Sequence, residues 1–185
     1  HLFQHIFLLE LQKYFCSGGM EGSRQCRFGR LGACDQKTRN KAVNALRRWL
    51  SNRSDFTEIE CLKVWKGLFY CMWMADKAPV QQELAQRMGG LVEAIRSPTE
   101  AMLFVRCFFD TIEREWRCLD RYRLDKFLSL IRFVIRGALS YCQGRDWHQL
   151  PVDGLCAALS FALSLQTARA VALHVCDVFA PELLR

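Results

Sequence analysis

The sequence has few of the residues that interrupt helices, with only 4 prolines and 11 glycines among 185 residues. Clusters of β-branched residues, which strands favour, are also scarce. Leu, Ala, Arg, Lys, Glu and Gln are abundant instead, and these residues stabilise helices. With 51% apolar residues, the chain can bury a substantial core. We therefore predict an all-α protein.

The sequence also lacks the motifs of common catalytic and metal sites. Its ten cysteines form no Cys-x-x-Cys pair and no zinc-finger spacing, so we expect reduced thiols and no metal. The pattern Gly29-x-x-Gly32 lacks the lysine and the Ser/Thr of a phosphate-binding loop. Asp110, Asp120 and Asp125 are candidate carboxylates for a nuclease, but each has a simpler role on a helix surface. No catalytic residue, cofactor or small-molecule substrate is predicted.

The apolar run IFLLEL near the N-terminus has some features of a secretory signal. No basic region precedes it, however, and Glu10 interrupts it. No window reaches the ~18 apolar residues that a membrane span needs. We expect neither a signal peptide nor a membrane partner.

The apolar periodicity predicts six or seven helices joined by short turns, which favour antiparallel neighbours. Thr57 and Glu60 form a capping-box pattern, Asp76 is a candidate cap for the next helix, and Ser97 precedes Pro98 at another helix start. The predicted helices span approximately residues 36–50, 57–75, 79–95, 98–117, 120–141, 147–164 and 167–184. Pairs recur about every 40 residues, as in HEAT repeats, without a repeated signature. We therefore expect an irregular, HEAT-like α-solenoid array.

The second predicted helix carries an unusual number of large aromatic residues. Trp65, Phe69, Met72 and Trp73 recur at three- and four-residue steps, so we expect them mostly in the core. Either Tyr70 or Trp73 must approach the surface as the helix turns. These two are the candidate aromatic residues for contact with a partner.

Positive charge is concentrated in one segment. The formal net charge is +7, yet Arg24 to Arg53 contains nine Lys or Arg and a single acid, Asp35. Because the remaining sequence is close to neutral, this segment predicts a surface that contacts an acidic partner. The alternative is a solvated face that serves only solubility.

The first predicted helix has a basic side and an apolar side, and the apolar side would pack against the rest of the protein and leave the cations pointing outward. The candidate contacts to RNA phosphates or to an acidic protein are Lys37, Arg39, Lys41, Arg47, Arg48 and Arg53. Arg132 and Arg136 are candidates for a secondary basic stripe. The segment REWRCLDRYRLDKF, from Arg114 to Phe127, contains both signs of charge, and four-residue spacing relates Arg121 to Asp125 within it and Glu113 to Arg117 at its start. For that segment we favour a structural role in fixing helix docking.

Three blocks resemble the eukaryotic ribosomal RNA-processing protein 1 family, in the family's order. They are FGRLGACDQKTRNKAVNALRRWL from Phe28, LKVWKGLFYCMWMADKAPVQQELA from Leu62 and REWRCLDRYRLDKFLSLIRFVIR from Arg114. The middle block, with Trp65-Lys66-Gly67-Leu68-Phe69-Tyr70, is the most specific. The resemblance covers approximately residues 28–184 and becomes looser after Gly144. Residues 1–27 do not match the family's usual start, so we treat them as a divergent extension and linker.

The resemblance implies a nucleolar, non-enzymatic assembly factor of the large ribosomal subunit. Its partners would be the pre-ribosomal particle, with pre-rRNA and other assembly factors. It also implies one helical domain over residues 28–185 and a longer parent protein with a charged tail. The alternative function is a helical adaptor that binds an acidic protein without touching RNA.

Overall fold

The computed structural model describes Leu31, Ala33 and residues 35–185. These residues form seven α-helices and no strand, which confirms the all-α prediction. The helices are α1 (Gln36–Ser51), α2 (Glu58–Trp73), α3 (Ala78–Gly89), α4 (Pro98–Glu115), α5 (Arg121–Gln143), α6 (Gln149–Ser164) and α7 (Arg169–Leu183). Short 3-10 turns at Val92–Ala94 and Trp116–Cys118 follow α3 and α4. Residues 1–27 lie outside the described residues.

Local capping signals place most of the helix starts. The Thr57 hydroxyl accepts the N–H of Glu60 while the Glu60 carboxylate accepts the N–H of Thr57, so the predicted capping box is present. Ser97 caps α4 by accepting the N–H of Glu100, and Asp120 caps α5 by accepting the N–H groups of Tyr122 and Arg123. These side chains satisfy backbone donors that have no partner within the helix.

The predicted start of α3 at Pro79 lies within one residue of the observed start, but its predicted cap and its predicted end were wrong. Its N-cap is Lys77, which makes no side-chain cap, and the helix does not use Asp76. The side-chain amide of Gln81 instead donates to the carbonyls of Ala75 and Asp76, which fixes the turn from α2. The helix ends at Gly89 and not near Ile95, because the chain tightens into a 3-10 turn.

The seven helices pack as two layers. Helices two apart in the sequence lie side by side, so α1, α3, α5 and α7 form one layer while α2, α4 and α6 form the other. Short connections carry the chain from one layer to the other. This arrangement is a HEAT-like irregular array, as the sequence predicted.

The core lies between the layers and is centred on the aromatic helix α2. The Trp65 indole N–H donates to the Phe104 carbonyl at 2.7 Å, and its ring packs against Phe104 and Phe108 at 4.6 and 4.8 Å. Phe69 packs against Phe127 of α5 at 4.5 Å. Trp65, Phe69 and Met72 are all buried, so the core prediction for them is confirmed.

Glycines permit the closest helix contacts. A Cβ at Gly137 of α5 would lie 2.2 Å from the Gly89 carbonyl oxygen of α3. Across the array, a Cβ at Gly154 of α6 would lie 2.6 Å from the Met102 Cβ of α4. These two pairs of helices can approach closely only where the side chain is absent.

The seven cysteines among the described residues are free thiols, whereas Cys16, Cys26 and Cys34 lie outside that part of the chain. Four of the seven are buried within the helical array. None of the described helices combines the length and the apolar character that crossing a membrane would require.

Candidate functional site

Helix α1 carries the predicted basic residues on its outward side. Lys37, Lys41, Arg47 and Arg48 are exposed. None of these four forms an ion pair with another described residue. Hydrogen bonds from Thr38, with a smaller contribution from the charge of Lys37, lower the pKa of the N-cap Asp35.

Three of these cations share one direction. At 100° per residue, Lys37, Lys41 and Arg48 fall within about 40° of one another around the axis of α1. They extend along about 16 Å of the helix. We call these three residues the basic ridge. The opposite side of α1 buries Val43, Leu46 and Leu50, which holds the ridge toward solvent.

Arg39 does not belong to this exposed surface. Its side chain is 4% exposed and donates to the Ala33 carbonyl at 2.8 Å. It therefore helps to anchor the chain that precedes α1. The prediction of Arg39 as a surface contact is corrected, because its position on the helix points it inward.

Arg53 is also committed to contacts inside the chain. Its guanidinium lies 2.7 Å from the Glu60 carboxylate and 5.0 Å from the centre of the Trp49 ring. Burial raises the pKa of Glu60, but hydrogen bonds from Thr57 and the charge of Arg53 outweigh it, so the pKa lies below its usual value. Arg53 thus fixes the α1–α2 turn, which corrects its assignment to the contact surface.

Arg132 and Arg136 do not form a free basic stripe. Both guanidinium groups bind the buried carboxylate of Glu182 on α7. The hydrogen bonds from Arg136, followed by those from Arg132, lower the pKa of Glu182 to about 2. This ion-pair triad fastens α7 to α5, and we correct the stripe prediction accordingly.

The two candidate partner-facing aromatic residues are both half-buried and in contact with this chain. The Tyr70 hydroxyl donates to Glu115 at 3.0 Å, and the Glu115 carboxylate also pairs with Lys66 at 3.2 Å. The Arg123 guanidinium lies over the Trp73 ring at 4.3 Å. Both side chains therefore stabilise helix contacts, and because both are still partly exposed, contact of one of them with a partner stays a prediction.

Most of the large exposed apolar side chains lie on α6 and α7 or directly after α7. Sequence patterning missed this surface because α6 and α7 are apolar around most of their circumference. Its large side chains are Leu150, Leu163, Leu173, Leu183 and Leu184.

Charged groups in and immediately before the REWRCLDRYRLDKF segment fix helix docking, but through contacts that differ from the predicted pairs. Glu113 of α4 accepts the N–H groups of Thr167 and Ala168 at 2.9 and 3.2 Å, so it fixes the turn that precedes α7. Lys126 is buried and donates to the Trp73 and Ala75 carbonyls at 2.8 Å each. Burial lowers the pKa of Lys126 to about 8, and the ammonium group satisfies the C-terminus of α2.

Arg47, the fourth exposed cation of α1, lines a cleft. Arg47, Arg87 of α3 and Arg136 of α5 together border a cavity of about 340 Å³. We call it the arginine cleft. The sequence did not group these three residues, because α1, α3 and α5 meet only in the folded layer. Among the described residues, no group of three or more His, Cys, Asp and Glu is arranged to hold a metal ion.

A two-layer helical array with an outward row of cations defines a class of protein that binds partners along an extended surface. The family described as Nucleolar protein, Nop52 matches residues 24–185. The chain belongs to this family of nucleolar proteins, which confirms the resemblance seen in three sequence blocks.

Curated relatives agree with this assignment. The chain is 38% identical over 164 residues to human Ribosomal RNA processing protein 1 homolog A, covering 84% of this chain and 36% of that protein. It is 34% identical to the human homolog B, over 83% of this chain and 21% of the relative. The Drosophila melanogaster homolog is 31% identical over 88% of this chain and 25% of its own length. The chain therefore spans about a third or less of these relatives.

Proposed function

We propose that this chain is a non-enzymatic scaffold in precursor particles of the large ribosomal subunit, where the basic ridge contacts pre-rRNA. The proposal deepens the family assignment, since the relatives are named for ribosomal RNA processing. Residues 28–185 would act as one helical domain in this role. The domain would work in the nucleolus by holding RNA and other assembly factors together.

The proposal rests on a difference between two sets of charged residues: acids within the array bind neighbouring helices or turns, whereas the cations of the basic ridge face solvent. Acids elsewhere bind groups of neighbouring helices or turns, as Glu60, Glu113 and Glu182 do. The cations of the basic ridge have no such acid among the described residues. Exposed lysine and arginine release condensed counterions when they meet phosphates, so a row of them favours a polyanion.

The rigidity of the helix that carries the ridge supports the same proposal. Helix α1 is capped by Asp35, which accepts the N–H of Thr38 at 2.8 Å, and the Arg53–Glu60 pair holds its far end. Its apolar side is buried within the layer that α1 forms with α3, α5 and α7. Cations on a preorganised helix lose little conformational freedom on binding, which favours affinity.

A scaffold role without catalysis also fits the surroundings of the candidate carboxylates. Asp110 pairs with Arg114 at 2.8 Å, and Asp120 accepts the N–H groups of Tyr122 and Arg123. His174 contacts the Leu128 carbonyl at 2.9 Å. These groups have structural partners, and a metal-assisted nuclease needs carboxylates that converge on one point.

Ultraviolet crosslinking within purified precursor particles tests the proposal. Nucleotide adducts, located by mass spectrometry, are expected on the peptides of α1 that carry Lys37, Lys41 and Arg48. A sample without irradiation and the peptides of α6 serve as controls. Particles in which α1 carries no nucleotide adduct, but crosslinks chemically to an acidic protein segment, would support the helical adaptor and overturn RNA contact.

A further inference from the structure

We propose that the arginine cleft is a second binding site, which takes a phosphodiester of the pre-rRNA backbone beside the basic ridge. The inference rests on the proposed function, because it names a site for the same ligand. Three arginines from three helices border this cavity of about 340 Å³. That volume lies in the range of sites for small ligands, so a single nucleotide can enter.

Two of the arginines are held in place by neighbouring groups. Arg87 donates through Nη2 to the Asn44 side-chain oxygen at 2.6 Å and through the same atom to the Asn40 carbonyl at 3.4 Å. Arg136 uses Nε and Nη2 to bind Glu182, and its guanidinium stacks over the Phe133 ring at 4.7 Å. A guanidinium fixed in this manner is preorganised for an anion.

Arg47 differs from these two because it is exposed and has no ion pair within the described part of the chain. It follows the ridge in sequence, immediately before Arg48, but turns about 100° away toward α3 and α5. A strand that runs along the ridge can therefore place one phosphate in the cleft. Arg87 pairs with Glu83 at 3.6 Å and Arg136 pairs with Glu182, so Arg47 would supply the positive charge that these two arginines share with acids of the chain.

The other residues that line the cleft also suit a nucleotide. Gly90 and Gly137 line the cleft, and Gly137 is the residue that permits the close approach of α3 and α5. Asn44, Gln86 and Ser140 offer uncharged hydrogen-bonding groups. This mixture of arginine, neutral donors and one aromatic ring is typical of contacts to unpaired RNA.

Glu93 is the one acid among the described residues that line the cleft. It is exposed and forms no ion pair with another described residue, so it opposes an incoming phosphate without being neutralised. Its removal should therefore strengthen RNA binding, whereas the removal of Arg47 should weaken it. Opposite effects from two exposed residues of one cavity are difficult to obtain from a general loss of fold.

The test measures binding of the purified 185-residue chain to single-stranded oligouridylate over a series of salt concentrations. We expect Arg47→Ala to weaken binding about 3- to 10-fold and to reduce the salt slope by about 0.7, the value for one phosphate contact on a single strand. Glu93→Gln should tighten binding about 2- to 4-fold at low salt. Arg117→Ala, which removes an exposed arginine at the end of α4, is the matched control.

A variant with Lys37, Lys41 and Arg48 changed to Glu separates the cleft from the ridge. If this variant loses RNA while Arg47→Ala and Glu93→Gln bind like the wild type, the cleft proposal is wrong and RNA contact by the ridge stands. If the wild-type chain does not bind RNA, both proposals fail.

A parallel titration with polyglutamate completes the design. If Arg47→Ala weakens polyglutamate binding but not RNA binding, the cleft binds carboxylates and the proposal is overturned.

Discussion

Arg136 of α5 and Glu182 of α7 form a two-point ion pair, with Nε–Oε2 and Nη2–Oε1 distances of 2.6 and 2.9 Å. Arg132 binds the same carboxylate, so one buried acid holds two arginines of the neighbouring helix. The pair joins the last helix of the described array to the longest one. It therefore adds a charged contact to the apolar packing of Val171, Val175 and Val178 that holds α7.

The first prediction concerns acid stability. Glu182 has a folded-state pKa of about 2 against an ordinary value of 4.5, so its contribution to stability is complete above the unfolded-state pKa and is lost as pH falls toward 2. Each pKa unit corresponds to about 1.4 kcal/mol, and solvent around Arg132 screens part of this, so Glu182→Gln should cost about 2–3 kcal/mol at neutral pH. Urea unfolding followed by circular dichroism measures this difference.

The same variant should differ little from the wild type at a pH near the folded-state pKa, because the wild-type carboxyl is then about half protonated and nearly all of its stabilising contribution is lost. Asp177→Asn, which changes an exposed acid of the same helix, is the control and should be nearly neutral. A difference between Glu182→Gln and wild type that is equally large at neutral and acidic pH would contradict the role of charge in this contact.

The second prediction concerns the aromatic core. Trp65→Ala should lower the free energy of unfolding by about 3–5 kcal/mol, because a buried indole would be replaced by a cavity. Trp65→Phe keeps a ring against Phe104 and Phe108 but loses the bond to the Phe104 carbonyl, so it should cost about 1–2 kcal/mol. Trp147→Ala is the control, since that side chain is 45% exposed. Equal losses for Trp65→Ala and Trp147→Ala would refute the placement of α2 at the centre.

The third prediction concerns the crossing of α3 and α5. In Gly137→Ala the new methyl group would meet the Gly89 carbonyl, so the helices must separate at a cost of about 1–3 kcal/mol. Gly90→Ala is the matched control, because its Cβ would have ordinary contacts of 3.5 Å or more. Thermal unfolding of both variants measures the difference. A Gly137→Ala variant as stable as Gly90→Ala would show that α3 and α5 are not in close contact there.

Much of the fold could be predicted because it depends on local rules. Thr57, Ser97 and Asp120 begin helices through side-chain bonds to residues two or three positions ahead, and such spacings are visible in a sequence. The end of α3 was missed because Val92 and Ile95 are buried like helix residues. Their burial results from packing and not from continuation of the helix.

The site was only partly predictable because charge pairing between helices is not local. The sequence indicated which residues of α1 are basic, but Arg53 is neutralised by Glu60 across a turn, and Arg132 by Glu182, 50 residues away. The same limit hid the arginine cleft, where Arg87 and Arg136 lie 49 residues apart in sequence. Helical periodicity tells which side of α1 faces outward, whereas only the fold tells which cations remain unpaired.

The account depends most on the basic ridge, and a charge-reversal experiment tests it directly. Lys37, Lys41 and Arg48 are changed together to Glu, and a matched variant reverses Arg117, Arg169 and Arg185, which are also exposed. Circular dichroism first establishes that both variants fold.

Co-sedimentation with large-subunit precursor particles in a gradient of nuclear extract is then measured at increasing salt. We predict that the ridge variant leaves the particle fractions at low salt while the matched variant remains in them. Co-sedimentation of the ridge variant with wild-type amounts and wild-type salt sensitivity would contradict the account.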